Sequence, residues 1–413
     1  MNKNVYSWIW KWHFLGGIIS SPIIILLSVT GIIYLFKEDY EKTERTEIKQ
    51  VQVGENPLSF QEQLEIAQAN WDKKINAMIL PDRRNEATEF VSGRFSHKSS
   101  IFIDPYTGHV NGKIQVNETD MHKVRKLHGE LLLGAYGTKV VELIACWMIV
   151  LIITGIYLFW PRDKGLKGLF TVRTHLSKRI LFRDLHAVSG FWFSILLLML
   201  LAGGLPWTDV WGGGYKWVHD QTNTGLSKQW KGFVFKSEEH GKPIPLDRMV
   251  TKAQYLNLKG EVSIHIPQKP DGIYSISNQT PDVETMQRLH YDQYSGKELY
   301  SGTWDDVGAL MQARLWIMAF HQGQFGTWNW ILVLATAFGL LLISITALWS
   351  YLQRKRKNSW GIPATPDHYN VGVGIMVLIG LLSILLPLFG VSVLLILIIE
   401  RVFNFKDTNK ERL

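Results

Sequence analysis

Four stretches of roughly twenty mostly apolar residues, about Phe14–Phe36, Thr138–Trp160, Leu185–Pro206 and Trp328–Tyr351, constrain this chain more than any other feature. A helix that crosses a bilayer needs about that length of apolar sequence. They are named here spans one to four. Span one is too long for a signal-peptide core and has no small-x-small cleavage pattern after it, so it is expected to stay as an anchor. A fifth stretch, Val371–Ile399, is too long for one comfortable span and carries Pro387 and Gly390 near its middle. It reads as either two short helices joined by a turn or one tilted span.

Basic residues then set the orientation. Arg162, Lys164, Lys167, Arg173, Lys178, Arg179 and Arg183 lie between spans two and three, and Arg354, Lys355, Arg356 and Lys357 follow span four. Loops rich in lysine and arginine stay cytoplasmic. The expectation is a multi-pass protein of a bacterial inner (cytoplasmic) membrane, with a cytoplasmic N-terminus and large periplasmic loops. The net charge of +8 is explained by this asymmetry, and nucleic acid is not expected as a partner. The lone cysteine, Cys146, excludes a disulfide framework, a zinc ribbon and covalent haem attachment.

The chain repeats itself. Asp104-Pro-Tyr106-Thr-Gly108 and Asp292-Gln-Tyr294-Ser-Gly296 share the pattern Asp-x-Tyr-[Ser/Thr]-Gly, 188 positions apart, and Pro57-Leu58 recurs at the same offset as Pro245-Leu246. Before each turn lie a helical stretch (Ser59–Trp71; Leu246–Leu258) and an alternating run (Asn76–Leu80; Glu261–Ile266). Each copy therefore reads as helix, strand, strand, turn, strand, with glycine supplying positive φ after the turn. The spans repeat as well. His13 opens span one and His186 span three, each followed by glycines four and eighteen positions on (Gly17 and Gly31; Gly190 and Gly204), which share a helix face with the histidine.

The fold class is thus a multi-pass α-helical membrane protein with α+β outer domains, built from a duplicated span–outer domain–span unit. The expected segments are the N-terminus and span one (1–36), a first outer domain (37–137), span two (138–160), a basic cytoplasmic loop (161–184), span three (185–206), a second outer domain (207–320), span four (321–351), a second loop (352–369) and a C-terminal hydrophobic hairpin with its tail (370–413).

His128 precedes span two and His321 precedes span four, so the topology yields two depth-matched pairs, His13 with His186 and His128 with His321. Ionisable groups beside apolar spans are functional candidates, although an interfacial histidine alone often just binds a headgroup or carbonyl. Each pair suits one iron. A b-type haem between helices needs two imidazoles from different helices, room for a flat macrocycle and apolar walls. Zinc is a weaker rival, because a structural site wants four close ligands and each face offers two. Arg125, Arg314, Lys11 and Arg183 either face propionates or, more simply, mark topology. Most of the seventeen tryptophans fit interfacial belts. Trp207, Trp211, Tyr215, Trp217 and His219 are candidates for a substrate-side cleft.

These residues carry a family resemblance. Trp12-His13-Phe-Leu-Gly16, Phe102-Ile-Asp104-Pro-Tyr106-Thr-Gly108, Leu127-His128-Gly129, Asp184-Leu-His186 with Gly190, Leu205-Pro206-Trp207, Phe320-His321 and Leu386-Pro387-Leu388-Phe-Gly390 make the chain resemble PepSY-associated transmembrane proteins, and among them the haem-containing ferric-siderophore reductases of bacterial inner membranes. The resemblance implies PepSY-like outer domains, two b-type haems on the span histidines, and reduction of ferric siderophores or other ferric chelates outside the membrane. A fused flavin reductase, present in some members, is not expected in this chain. The expected donor is a quinol or a cytoplasmic flavoprotein. The competing readings are a non-redox PepSY-type protein that binds peptides or proteases, and a transporter component. Distance weighs against the redox reading, since span one rises by about 35 Å from His13 to its far end. Either the helices kink at Gly134 and Gly137, or the macrocycles or an aromatic relay bridge the gap.

Overall fold

A computed structural model of the chain describes residues 3–94, 97–161, 165–355, 361 and 372–410. Arg162, Lys164, Arg356 and Lys357 of the basic loops, most of 352–369, and 411–413 of the tail lie outside the described residues. The chain divides into two compact units, one of residues 1–33, 125–215 and 328–413 and the other of 34–124 and 216–327.

The first unit is helical. Among the described residues four helices are long and apolar enough to cross a membrane. They are α1 (Lys3–Leu35), α5 (Ala135–Phe159), α6 (Lys178–Gly204, continued by a 3-10 turn to Trp207) and α10 (Thr327–Arg354). Each outruns the apolar core read from sequence, because flanking aromatic and basic residues such as Trp8, Trp10 and Lys178 are good enough helix formers to extend it. The C-terminal stretch is two helices, α11 (Val373–Leu385) and α12 (Pro387–Lys410), broken at Leu386. Pro387 cannot donate to the preceding turn, and Gly390 lets the helices close, since a Cβ there would sit 2.8 Å from the Ser383 carbonyl. The elbow is pinned. Leu386 and Phe389 are buried with Cys146 and Leu205, Trp211 Nε1 donates to the Leu385 carbonyl at 2.9 Å, and Trp147 Nε1 donates to Ser392 Oγ at 3.2 Å.

Glu142 of α5 is fully buried, and both its oxygens are used. They accept from the backbone amides of Val210 (2.8 Å) and Trp211 (2.9 Å), the first residues of α7 (Val210–Gln221). A helix N-terminus presents unsatisfied N–H groups and a partial positive charge, which is why a carboxylate can be buried there. At the other end of the unit, Asp184 of α6 is buried under two arginines, accepting from Arg173 Nε at 2.7 Å and Nη2 at 2.8 Å and from Arg183 Nη2 at 2.9 Å.

The second unit is α+β. The two segments read as separate domains fold here into one antiparallel eight-stranded sheet: β1 (Ala77–Ile79), β2 (Thr88–Ser92), β3 (Ser99–Ile103), β4 (Val110–Ile114), β5 (Glu261–His265), β6 (Ile273–Gln279), β7 (Arg288–Asp292) and β8 (Glu298–Gly302), ordered β4-β3-β2-β1-β5-β6-β7-β8. Each half is a four-strand meander, one strand more than the sequence pattern predicted, and the halves join through β1 and β5 in the register Ala77–His265, Met78–Ile264, Ile79–Ser263. Pairing them removes an edge from each half, and unpaired edges are a liability.

The extra strand is hidden because both sheet faces are covered. Every residue of β2 and β3 is buried, so neither shows the polar–apolar alternation of a half-exposed strand. On one face α3 (Phe60–Ala69) and α8 (Leu246–Leu256) pack over a single core that includes Leu64, Phe90, Ile101, Met249, Ile264 and Ile276. On the other, α2 (Lys37–Lys49) brings Ile48 against Phe102 and Ile114, while Trp230, Val307 and Met311 form a separate cluster. Phe90 is fully buried, and truncating such a side chain costs about 3–5 kcal/mol.

The two Asp-x-Tyr turns are alike in detail. Asp104 Oδ1 accepts from the Tyr106 amide at 2.8 Å and Asp292 Oδ1 from the Tyr294 amide at 3.0 Å. Tyr106 Oη donates to the Arg84 carbonyl and Tyr294 Oη to the Pro270 carbonyl, each at 3.0 Å. Gly108 (φ 72°) and Gly296 (φ 69°) take the left-handed backbone that the pattern predicted.

Candidate functional site

Helical periodicity alone places His13 on α1 and His186 on α6, and the helical unit brings their rings together. The ring centroids are 6.2 Å apart, with the planes at 67°. Each ring is held from behind by a different helix. His186 Nδ1 lies 3.0 Å from the Ile343 carbonyl of α10, which Thr346 Oγ1, donating to the Leu342 carbonyl at 2.6 Å, also approaches at 3.1 Å. A carbonyl only accepts, so His186 carries its hydrogen on Nδ1 and leaves the Nε2 lone pair unused by this contact. His13 Nδ1 lies 2.9 Å from Thr154 Oγ1 of α5. One turn further along α1 and α6, Gly17 and Gly190 face open space: a Cβ at either would meet nothing within 4 Å. Larger residues there would fill the room beside the two imidazoles.

His128 sits on α4 (Asp120–Glu130), which the chain folds back before α5 begins. Leu131 (φ 47°), Leu132 (φ 59°) and Gly134 (φ 57°) all take left-handed backbone at this corner. Glu130 and Gly137 then meet so closely that a Cβ on Gly137 would overlap the Glu130 carbonyl oxygen at 1.6 Å. Because of the corner, His128 reaches α1: its Nδ1 is 3.0 Å from Thr30 Oγ1, and its ring lies over Gly31. Gly31 thus supplies space that the His128 ring fills. Thr30 is seventeen residues beyond His13 on α1, about 26 Å along the helix, so the corner at 131–134 shortens the separation anticipated from sequence.

His321 is the last residue of α9 (Ala309–His321) and belongs to the sheet unit, ahead of a break at Gly323 (φ 72°) and Gly326 (φ 88°). The five candidate substrate-side residues are divided in the same way. Trp207, Trp211 and Tyr215 fall in the helical unit, where Trp211 and Tyr215 stack at 5.5 Å and Trp207 is exposed. Trp217 and His219 fall in the sheet unit. Trp217 is exposed, whereas His219 is 2% exposed, packed on Gly225 with Asp220 Oδ1 at 3.0 Å from its Nδ1. His219 is therefore packed into the interior. Of the four cationic candidates, Arg183 pairs with Asp184 and Arg125 with Glu130 at 3.6 Å.

Sequence reasoning missed Thr30, Thr154, Gly155 and the Ile343 carbonyl, and it grouped Gly31 with His13 rather than with His128. A signal was present for the first three. Thr30-Gly31-Ile32 and Thr154-Gly155-Ile156 are the same tripeptide late in spans one and two. Its meaning needs the antiparallel pairing of α1 and α5, which sets the start of one helix against the end of the other.

No curated protein matches the chain. The family model of the PepSY-associated TM region matches residues 10–354, from just before His13 to the end of α10. With four helices apolar enough to span a bilayer and most of its length covered by that match, the chain is a membrane protein of the PepSY-associated TM family.

Proposed function

We propose that this protein is a b-type haem oxidoreductase of a bacterial inner membrane that passes electrons across the bilayer and reduces ferric chelates, siderophores among them, on the periplasmic side. One observation carries the reading: the His13 and His186 rings, from two different spans, lie 6.2 Å apart by centroid. Two imidazoles brought this close from different helices are what would hold one haem iron between them. The open space beside Gly17 and Gly190 and the Nδ1 contact behind each ring fit the same group.

In this reading His13 and His186 hold one haem, and His128 is a ligand of a second. Bound haem supplies one-electron redox chemistry. The protein orients the imidazoles through Thr154, the Ile343 carbonyl and Thr30, and it surrounds them with apolar spans that exclude water. Each electron delivered converts one ferric ion to ferrous. Hard oxygen donors hold ferrous iron less strongly, so the metal leaves an intact chelator. The donor is a quinol or a cytoplasmic flavoprotein. The duplicated architecture, with basic loops inside and the sheet unit outside, belongs to the same proposal. A transporter reading would lean on Glu142, whose two oxygens are committed to the start of α7.

The test is a reduced-minus-oxidised visible spectrum of the detergent-purified full-length protein with haem quantitation. Two b haems are expected, with the same one missing in His13→Ala and His186→Ala and the other in His128→Ala. A colourless protein after haem-supplemented expression overturns the reading.

A further inference from the structure

Two contacts in the helical unit are reciprocal. Near the start of α1, His13 meets Thr154 and Gly155, late in α5; late in α1, Thr30 and Gly31 meet His128, which precedes α5. Both threonines have their hydroxyl hydrogen engaged elsewhere. Thr154 Oγ1 donates back to the Val150 carbonyl at 2.7 Å and approaches the Leu151 carbonyl at 3.2 Å; Thr30 Oγ1 donates to the Leu26 carbonyl at 2.7 Å and approaches that of Leu27 at 3.2 Å. A hydroxyl has one hydrogen, so what each oxygen offers the imidazole is a lone pair. The Nδ1 it faces must then be the protonated nitrogen.

The adjoining glycine fixes the ring's position as well as its tautomer. A Cβ on Gly155 would come within 3.1 Å of His13 Cε1, and one on Gly31 within 3.3 Å of His128 Cε1. The Cε1 edge of each ring, next to the Nδ1 that meets the hydroxyl, therefore lies against bare backbone.

We propose that the two Thr-Gly pairs are positioning seats, in which Thr154 and Thr30 hold the hydrogen of His13 and His128 on Nδ1, leave Nε2 unprotonated as the coordinating nitrogen, and set the electron richness of that ligand. The inference rests on the haem reading for its consequence and on the hydroxyl geometry for its premise. Accepting a hydrogen bond from Nδ1–H makes the opposite nitrogen a stronger donor to the metal and favours the more oxidised ion. Removing the acceptor raises the midpoint potential of the centre concerned.

The experiment uses the full-length protein with Thr154→Val and Thr30→Val, which keep shape and delete the acceptor, and with Thr154→Ser and Thr30→Ser, which restore it. In haem-loaded protein, Thr154→Val is expected to raise the potential only of the centre that His13→Ala abolishes. Thr30→Val should raise only the one that His128→Ala abolishes, and the serine variants should return both to wild type. In haem-free protein, 15N-histidine NMR, assigned by His13→Gln and His128→Gln, is expected to show Nδ1–H rings that lose that preference in the valine variants alone. Unchanged tautomers in the valine variants, or potentials that move equally in both centres, overturn the proposal. A colourless protein whose tautomers shift as described refutes the haem reading and leaves the seats standing.

Discussion

Asp247 of α8 caps α3, and Gln61 of α3 caps α8. The Asp247 carboxylate accepts from the Phe60 amide at 2.8 Å and the Gln61 amide at 3.1 Å, while Gln61 Oε1 accepts from the Leu246 amide at 3.3 Å. The two helices belong to different halves of the eight-stranded sheet, so this exchange ties the halves together above it, as the β1–β5 pairing does within it.

Asp247→Ala leaves two helix-end N–H groups without their acceptor and removes a carboxylate from a positive helix end. A loss of about 1–2 kcal/mol is expected, or a fall of a few degrees in the midpoint of the sheet unit. Asp247→Asn, which keeps an acceptor oxygen, should lose about half as much. Differential scanning calorimetry of both variants checks the order.

The buried Glu142 makes a sharper case. Glu142→Ala strands the Val210 and Trp211 amides in an apolar setting and is expected to cost about 2–4 kcal/mol, with Glu142→Gln intermediate because one oxygen remains. Thermal unfolding in detergent, together with faster hydrogen exchange at those two amides, measures it. Equal stability of the alanine and wild-type proteins would refute the capping role.

Asp184→Ala exposes the segment around Arg173 to protease. The carboxylate holds Arg173 in a two-pronged bond and also takes Arg183, so its removal leaves two cations facing each other beneath α6. Arg173 is about a third exposed, so solvent tempers the loss to about 2 kcal/mol. Trypsin should cut at Arg173 several-fold faster in the variant.

The sheet unit should be acid-labile through His265. Burial, helped by the nearby Arg288 guanidinium, lowers its pKa from 6.5 to about 4. The unfolded chain therefore binds a proton between those values that the folded one refuses. Stability is full above pH 6.5, falls as the pH drops towards about 4, and then levels off, a span of about 3 kcal/mol at most. His290, lowered mainly by burial, pulls in the same direction. His265→Gln should flatten the pH dependence of the melting midpoint over this window, and a slope as steep as wild type would count against the assignment.

Gly137→Ala is expected to act at a distance. The added Cβ cannot coexist with the Glu130 carbonyl, so α4 must move and carry His128 off Thr30. If the proposed haem centres exist, the absorbance of the one assigned to His128 should weaken while that of the one assigned to His13 and His186 stays, and faster proteolysis at the 131–134 corner checks the displacement without any cofactor.

What the sequence disclosed followed from periodicity. The four spans, the Asp104 and Asp292 turns and the facing of His13 towards His186 all rest on spacing that a helix or turn translates directly into position. Two kinds of feature stayed hidden. Strands such as β2 and β3 are buried on both faces and lose their alternation, and the joining of β1 to β5 depends on segments some 180 residues apart. The repeated tripeptides at Thr30 and Thr154 could not be interpreted for a related reason, since a threonine in a helix normally bonds its own turn, as both of these do, and only a second helix reveals the remaining lone pairs.

The shared sheet dictates an order of birth. A ribosome completes β1 to β4 long before β5 exists, and during that interval β1 presents a bare edge of backbone donors and acceptors. The first meander must wait, half-assembled, while α5 and α6 are made, and only then can β5 close the gap. Completion of the sheet is thus gated by synthesis of the middle of the chain, and a stall anywhere between residues 115 and 260 would leave a sticky fragment for quality-control proteases to find.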